Sequence, residues 1–335
     1  MKQFQRTSYK GPARNVVVCL DGTGQFEEQT DDEGRLTPTN VAKIKEALIQ
    51  DERKQVVGYF RGLGNKKDHW ILGQLFGGAV GNGAYALLLE VQCWLCTNYR
   101  PGDRLSIFGF SRGAALARML ANSVRKTGIP EEIVFKRKNI GGTKNGHSTI
   151  KAYLHNRVLD VPVTFMGCWD TVASFGIPLD VLGIPFQSIN LFKDFHVSDN
   201  VKRAVHCLAL DEKRNPFVHT PMEEERRIEE VWFAGWHSDI GGGNFDDGLS
   251  DITLEFMVKR ANTNGLLFKP SWAQDVACQP NPEGGMHEDR LGGVEVRRAL
   301  PTAKVHTSVR DRQKAMKDYS PAAIPDLSRV QWIST

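Results

Sequence analysis

Apolar residues are gathered into blocks along this chain. NVVVCL at 15–20, QVVGYF at 55–60, RLSIFG at 104–109, VPVTFMGCW at 161–169 and EEVWFAGW at 229–236 are short, largely apolar runs rich in β-branched and aromatic residues, and they predict strands. Between them, apolar positions recur at helical spacing. Val41, Ile44 and Leu48 mark a helix over 40–50, AYALLLEVQCWLCTN marks one over 84–98, and Ala114, Leu116, Ala117 and Leu120 mark one over 112–126. Another is predicted over 250–265, with Ser250 as N-cap and Gly265 past its end. VKRAVHCLALDE at 201–212 fits helix or strand. Strands that are apolar throughout and separated by helices predict an α/β fold with a mostly parallel central sheet covered on both faces. Such sheets gather their chemistry at the carboxyl ends of the strands, so functional residues are expected there. No repeat or linker divides the chain, which reads as one domain over 1–335, with an irregular tail from about residue 270.

Composition narrows this picture. The 335 residues are 41% apolar and 24% charged, the balance of a packed globular protein. A net charge of +4 without a basic run gives no footprint for nucleic acid. The N-terminus, MKQFQRTSYKGPARN, lacks the apolar core of a secretory signal. No stretch reaches the ~20 apolar residues that span a bilayer. The expectation is a chain made in the cytosol, with export by a signal-independent route left open. Six cysteines are scattered, and Cys93 and Cys96 form a CxxC inside the apolar helix with no second pair to complete a zinc site. They read as core thiols.

One strand-to-helix junction carries chemistry. Gly109-Phe110-Ser111-Arg112-Gly113 fits G-x-S-x-G, preceded by a strand and followed by a helix. The turn is so sharp that side chains at 109 and 113 would collide with neighbouring chain, hence glycine at both. It lifts the Ser111 hydroxyl above the sheet and puts the Arg112 N–H where it can receive an oxyanion. The bland alternative is an N-cap serine between packing glycines. A nucleophilic serine needs a base and an orienting carboxylate, in the chain order Ser, acid, His. Asp170 ends a clear strand in GCWDTV, whereas Asp194, Asp199 and Asp211 do not. Of the nine histidines, His237 follows a buried strand and opens a glycine-rich loop, WHSDIGGG, able to carry the ring over. His206 and His306 read as structural. The first loop, Asp21-Gly22-Thr23-Gly24, lacks a full GxGxxG and is a poor dinucleotide turn. It suits a second oxyanion donor, from Gly22 or Thr23, with Asp21 orienting the loop; a plain turn is the alternative.

In this order LDGTG, GFSRGAALAR, WDTV, HCLALDE followed by Asn215-Pro216-Phe217, VWFAGWHSDIGGG, GLSDITLEFM and VHTSVRDR resemble the α/β-hydrolase domain of the type VI secretion phospholipase effectors, over roughly residues 14–325. The resemblance implies an α/β-hydrolase fold and a triad falling on Ser111, Asp170 and His237. The toxin members hydrolyse acyl esters of glycerophospholipids and carry large extra membrane-binding regions, for which this length leaves little room.

The substrate side is apolar. SFGIPLDVLGIPFQSINLF, within 172–200, has no strict period and reads either as a cap that accepts an acyl chain and transiently touches a bilayer, or as packed loop. The glycine-rich stretch 76–83 offers a second flexible wall. No cofactor or metal is expected; Asp239, Asp246 and Asp247 suit calcium less well than a solvated loop. The resulting expectation is a serine hydrolase of phospholipid or related acyl esters. The other readings are an esterase or thioesterase on small soluble substrates, and a non-catalytic binding or immunity module that kept the fold. Oligomeric state has no signature in the sequence.

Overall fold

The computed structural model describes residues 2–6, 11–64, 83–140, 147–172, 196–214, 217–288, 296–321, 323–324 and 326–335. Its elements run β1 (Lys2–Gln5), β2 (Asn15–Leu20), α1 (Asn40–Ala47), β3 (Gln55–Phe60), α2 (Ala84–Asn98), β4 (Arg104–Phe110), α3 (Arg112–Thr127), β5 (Ile129–Ile140) and β6 (His147–Val158). Then follow β7 (Val163–Trp169), β8 (Ala204–Ala209), β9 (Ile228–Phe233), α4 (His237–Gly241), α5 (Gly248–Thr263), α6 (Trp272–Asp275), β10 (Lys304–His306), α7 (Thr307–Ala315) and β11 (Gln331–Ile333).

Eight strands form one sheet in the order β11-β10-β9-β8-β7-β4-β2-β3, and every neighbouring pair is parallel. Strand periodicity sorts the apolar side chains between its two faces. Val16, Val18 and Leu20 of β2 pack with Leu87 and Val91 of α2 and Leu116 and Leu120 of α3. Val17 and Cys19 point the other way, onto Ile44 and Leu48 of α1 and Leu254 of α5. Burying each such aliphatic side chain stabilises by ~1.5–3 kcal/mol, so both faces need a helical cover. This is the α/β-hydrolase arrangement expected from the chain.

Local chemistry sets the element ends. Thr39 caps α1 by accepting the Ala42 N–H on Oγ1 at 3.2 Å. The ambiguous segment 201–212 contains β8, a buried strand between β7 and β9. α5 begins at Gly248 with Asp247 at the N-cap position, and Ser250 lies inside it, bonded to Asp247 O at 2.9 Å. Gly265 lies past its end at φ +90°, as its left-handed turn requires.

Two features depart from expectation. The described residues beyond 270 are more ordered than their weak periodicity suggests, since β10 and β11 extend the sheet edge and helix α7 lies between them in the chain. A separate antiparallel sheet, β1-β5-β6, carries the first residues of the chain, with Phe4 opposite Ile133. The glycine-rich stretch at 71–82 and the cap segment at 173–195 lie outside the described residues, as do Asp194, Asn215 and Pro216.

Candidate active site

The carboxyl ends of β4, β7 and β9 meet at one rim of the sheet. Ser111 follows β4 with φ 57° and ψ −124°, a strained conformation for a residue with a side chain. Close packing enforces the bend. A Cβ on Gly109 would lie 2.5 Å from Gly113 O, and one on Gly113 would lie 2.3 Å from Leu20 O. The spacing of the two glycines is therefore steric, as the sequence indicated.

His237 reaches this serine from β9. It is the first residue of the short helix α4 and does not ride on a loose glycine loop. Asp239 accepts the Trp236 N–H at 2.8 Å and fixes the helix start. Asn40 of α1 holds the helix from below, donating to Ile240 O at 3.0 Å and Ser250 O at 2.9 Å. The ring lies between Phe110, 4.7 Å away between centroids, and Phe217, edge-on at 4.8 Å.

Ser111 Oγ lies 2.8 Å from His237 Nε2, and His237 Nδ1 lies 2.5 Å from Asp170 Oδ2. The carboxylate beside Nδ1 requires the proton there, which leaves Nε2 to accept from the serine hydroxyl. The three residues are buried, Asp170 completely. Asp170 follows β7 with φ 38°, another strained position. The sequence-predicted serine, acid and histidine thus meet in one hydrogen-bonded row.

A fourth residue joins them. Arg297 donates from Nη1 to Asp170 Oδ1 at 2.6 Å and from Nη2 to Asp170 Oδ2 at 2.9 Å. The same guanidinium donates to Phe217 O at 2.6 Å, and the Ala209 N–H donates to Asp170 Oδ1 at 3.1 Å. Burial pushes the Asp170 carboxyl up, but Arg297 and His237 outweigh it and hold it well below the usual carboxylate range. Removing one partner of such a buried pair costs about 3–5 kcal/mol. The sequence reading missed Arg297, which sits in the aperiodic GVEVRRAL with nothing local to mark it.

The proposed oxyanion donors divide. Asp21 accepts the Gly22 N–H at 2.7 Å, so that amide is already engaged. Among the described residues, no backbone acceptor meets the Arg112 or Thr23 N–H. Asp21 also accepts from Thr39 Oγ1 at 2.8 Å and from Tyr59 OH. Burial pushes its carboxyl up to about 6 against these hydrogen bonds.

These groups line a cavity of about 710 Å³, shared by Thr23, Ser111, Arg112, Arg214, His237 and His287. Arg214 is held by Glu212, Nη2 to Oε2 at 2.7 Å, and His287 by Asp239, Nδ1 to Oδ1 at 2.6 Å. Among the described residues the Arg112 guanidinium has no hydrogen bond or ion pair. It is half-buried, which lowers its pKa, and it sits at the positive end of α3.

The remaining candidates have structural roles. His206 accepts the Thr171 N–H on Nε2 at 3.0 Å and faces Glu230 with Nδ1 at 2.9 Å. His306 accepts the Ser308 N–H. Asp211 accepts the Gly235 N–H at 2.7 Å, and Asp199 is exposed. Asp239, Asp246 and Asp247 turn to separate partners: His287, the Gly285 N–H and Lys43. No three metal-ligating side chains cluster among the described residues. Cys93 and Cys96 are buried free thiols, and burial pushes Cys168, two residues before the acid, up to about 12. No helix among the described residues is long and apolar enough to cross a membrane.

Comparison with known proteins gives the family and the fold. The family described as type VI secretion system phospholipase effector Tle1-like, catalytic domain, matches residues 14–260. An uncharacterized protein of Saccharomyces cerevisiae is 27% identical over 259 residues, 66% of this chain and 35% of its own. The crystal structure of an uncharacterized protein from Pseudomonas aeruginosa superposes with a TM-score of 0.51 at 19% identity, covering 82% of this chain and 50% of that one. The structure of the Tle1 effector bound to the VgrG spike of the type VI secretion system gives a TM-score of 0.40 at 20% identity, over 71% of this chain and 53% of that one. The chain thus spans between about a third and a half of the length of these relatives.

Proposed function

The chain belongs to the family of Tle1-like catalytic domains of type VI secretion phospholipase effectors, and on that premise we propose that it is a serine hydrolase of carboxylic esters, its substrates phospholipids or related acyl lipids. The observation that carries this is the row Ser111–His237–Asp170 at 2.8 and 2.5 Å, buried at the rim where three strands end. His237 takes the Ser111 proton as Oγ attacks the ester carbonyl, and Asp170 keeps the ring in the tautomer that can do so. The Arg112 and Thr23 amides receive the oxyanion, each such donor stabilising the transition state by ~2.7–4 kcal/mol. His237 returns the proton to the leaving alcohol, and water deprotonated by the same ring releases the acid from Ser111.

The substrate preference rests on the cavity. Its volume suits part of a lipid, a size typical of ligand pockets. Its one uncompensated cation among the described residues, Arg112, suits an anionic group near the ester. Signal-independent export fits the family description and belongs to the same proposal. The polar groups Gln25, Asn244 and Glu288 in the cavity lining favour a second reading, an esterase on small soluble substrates.

Phospholipid vesicles treated with wild type or Ser111→Ala, with products read by mass spectrometry, test the proposal. Free fatty acid and lysolipid from wild type alone are expected. Equal release by both proteins contradicts it. Turnover of short acyl esters without vesicle hydrolysis selects the second reading.

A further inference from the structure

We propose that Arg297 is a positioning residue that fixes Asp170 behind His237 and extends the reaction into acid; this rests on the hydrolase reading above. Asp170 is fully buried and accepts from four donors: His237 Nδ1, the Ala209 N–H and both terminal nitrogens of Arg297. Arg297 is itself anchored by Phe217 O at 2.6 Å and Ala209 O at 3.3 Å. Phe217 packs edge-on against the His237 ring. One guanidinium therefore ties together the acid, the end of β8 and a wall of the base. It comes from beyond the family-matched residues, 14–260.

The chemistry follows from shared charge. A triad carboxylate orients the imidazole and stabilises the imidazolium formed during proton transfer. In a dry site, a permanent cation on the same two oxygens weakens that attraction strongly. Arg297 thus gives up some imidazolium stabilisation in exchange for a fixed, always ionised carboxylate. Removing that charge would leave the imidazolium formed in the reaction better stabilised, so the rate of such a variant would fall off sooner in acid.

The other charged groups near the ring are differently engaged. Glu212 accepts the His237 backbone N–H at 3.2 Å and is bridged to Arg214. Arg112, His287 and Glu288 line the cavity, and Asp239 sits on the ring's own helix, bonded to His287. His219, beside Arg297 and Asp170, is pushed down to about 4, by burial first and by Arg297 next. His206 lies on the far side of Thr171. Among the described residues, Arg297 is the one arginine or lysine that bonds the triad carboxylate.

The test is the rate at which a fluorophosphonate probe labels Ser111, followed by mass spectrometry from acid to neutral pH. Wild type is expected to lose rate in acid with unit slope, one proton on one group. Arg297→Gln removes the charge and is expected to move that limb up by about one pH unit, the effect of a lost neighbouring charge. Arg297→Lys keeps charge without the fork; it should label more slowly with the limb near its wild-type position. A purely structural role predicts slower labelling in both variants and no shift, and that result overturns the proposal. If neither variant folds, the wild-type slope decides: a slope of two means that Asp170 also takes up a proton in the same range, which overturns it. Wild type that labels with a limb unmoved by Arg297→Gln sinks this inference alone. Wild type that never labels sinks the hydrolase reading with it.

Discussion

Two histidines line the same cavity, each backed by an aspartate. His237 Nδ1 meets Asp170 at 2.5 Å, and His287 Nδ1 meets Asp239 at 2.6 Å. By that distance alone they are equivalent. They differ at the other ends of both side chains. His237 presents Nε2 to a serine hydroxyl at 2.8 Å and is almost wholly buried, while the His287 side chain is 32% exposed and no hydroxyl among the described residues meets its Nε2. Asp170 is gripped by Arg297; Asp239 is held by the Trp236 N–H and the His287 N–H. With no other cation bonded to Asp239 among the described residues, His287 has its pKa raised by the hydrogen bond to Asp239. The pairs show that a carboxylate next to an imidazole does not define a base. The group on the second nitrogen and the charge behind the acid decide what the ring can do.

That contrast is open to attack at both pairs. The largest expected difference is between the rings. His237→Gln should lower kcat/KM on a fluorogenic acyl ester by about 10⁴-fold or more, the scale of losing a triad member. His287→Gln should stay within about tenfold of wild type, since it touches neither the nucleophile nor its proton. Comparable losses would erase the distinction. Next come the acids. Asp170→Asn should cost about 10⁴-fold in kcat by upsetting the tautomer. Asp239→Asn should act mainly on stability, by about 1–3 kcal/mol in urea unfolding, because its single oxygen cannot serve both the Trp236 N–H and His287 as the two carboxylate oxygens do.

Smaller effects lie in the pH dependence of stability. Asp211 accepts the Gly235 N–H in the turn that delivers His237, and burial pushes its carboxyl up to about 6 against that bond and the one from Tyr319. The folded protein then binds this proton more tightly than the unfolded chain does. Stability from this group is fullest below the ordinary carboxylate range and falls as pH rises towards about 6. Asp211→Asn should flatten that slope in denaturation across the window. Asp21, also raised to about 6, contributes in the same direction. His287 gives the smallest effect. Its raised pKa adds stability in acid that is lost as pH passes above its ordinary value, and His287→Gln should remove that increment.

How legible was all this in the sequence? The elbow was, because Gly109 and Gly113 answer a steric demand spanning five residues. Asp170 and His237 were, because Asp170 directly follows one buried parallel strand and His237 follows another after the short turn Ala234-Gly235-Trp236. The support of His237 was read differently: glycines in WHSDIGGG suggested a mobile loop, whereas Asp239 and Asn40 fix a helix turn there. Gly22 was a reasonable oxyanion donor by position, yet its own neighbour Asp21 takes its N–H. Arg297 could not be seen, since its partner Asp170 is 127 residues away and its local sequence has no periodicity. β10 and β11 escaped for a related reason: three residues are too few to show alternation.

The central claim is that Ser111 is a hydroxyl made nucleophilic by His237. Fluorophosphonate labelling with peptide mass spectrometry tests it without knowledge of the substrate. One phosphonylated residue, Ser111, is expected in wild type, with labelling lost in Ser111→Ala and in His237→Gln. A folded wild-type protein that stays unlabelled, or that labels equally well without His237, would contradict it.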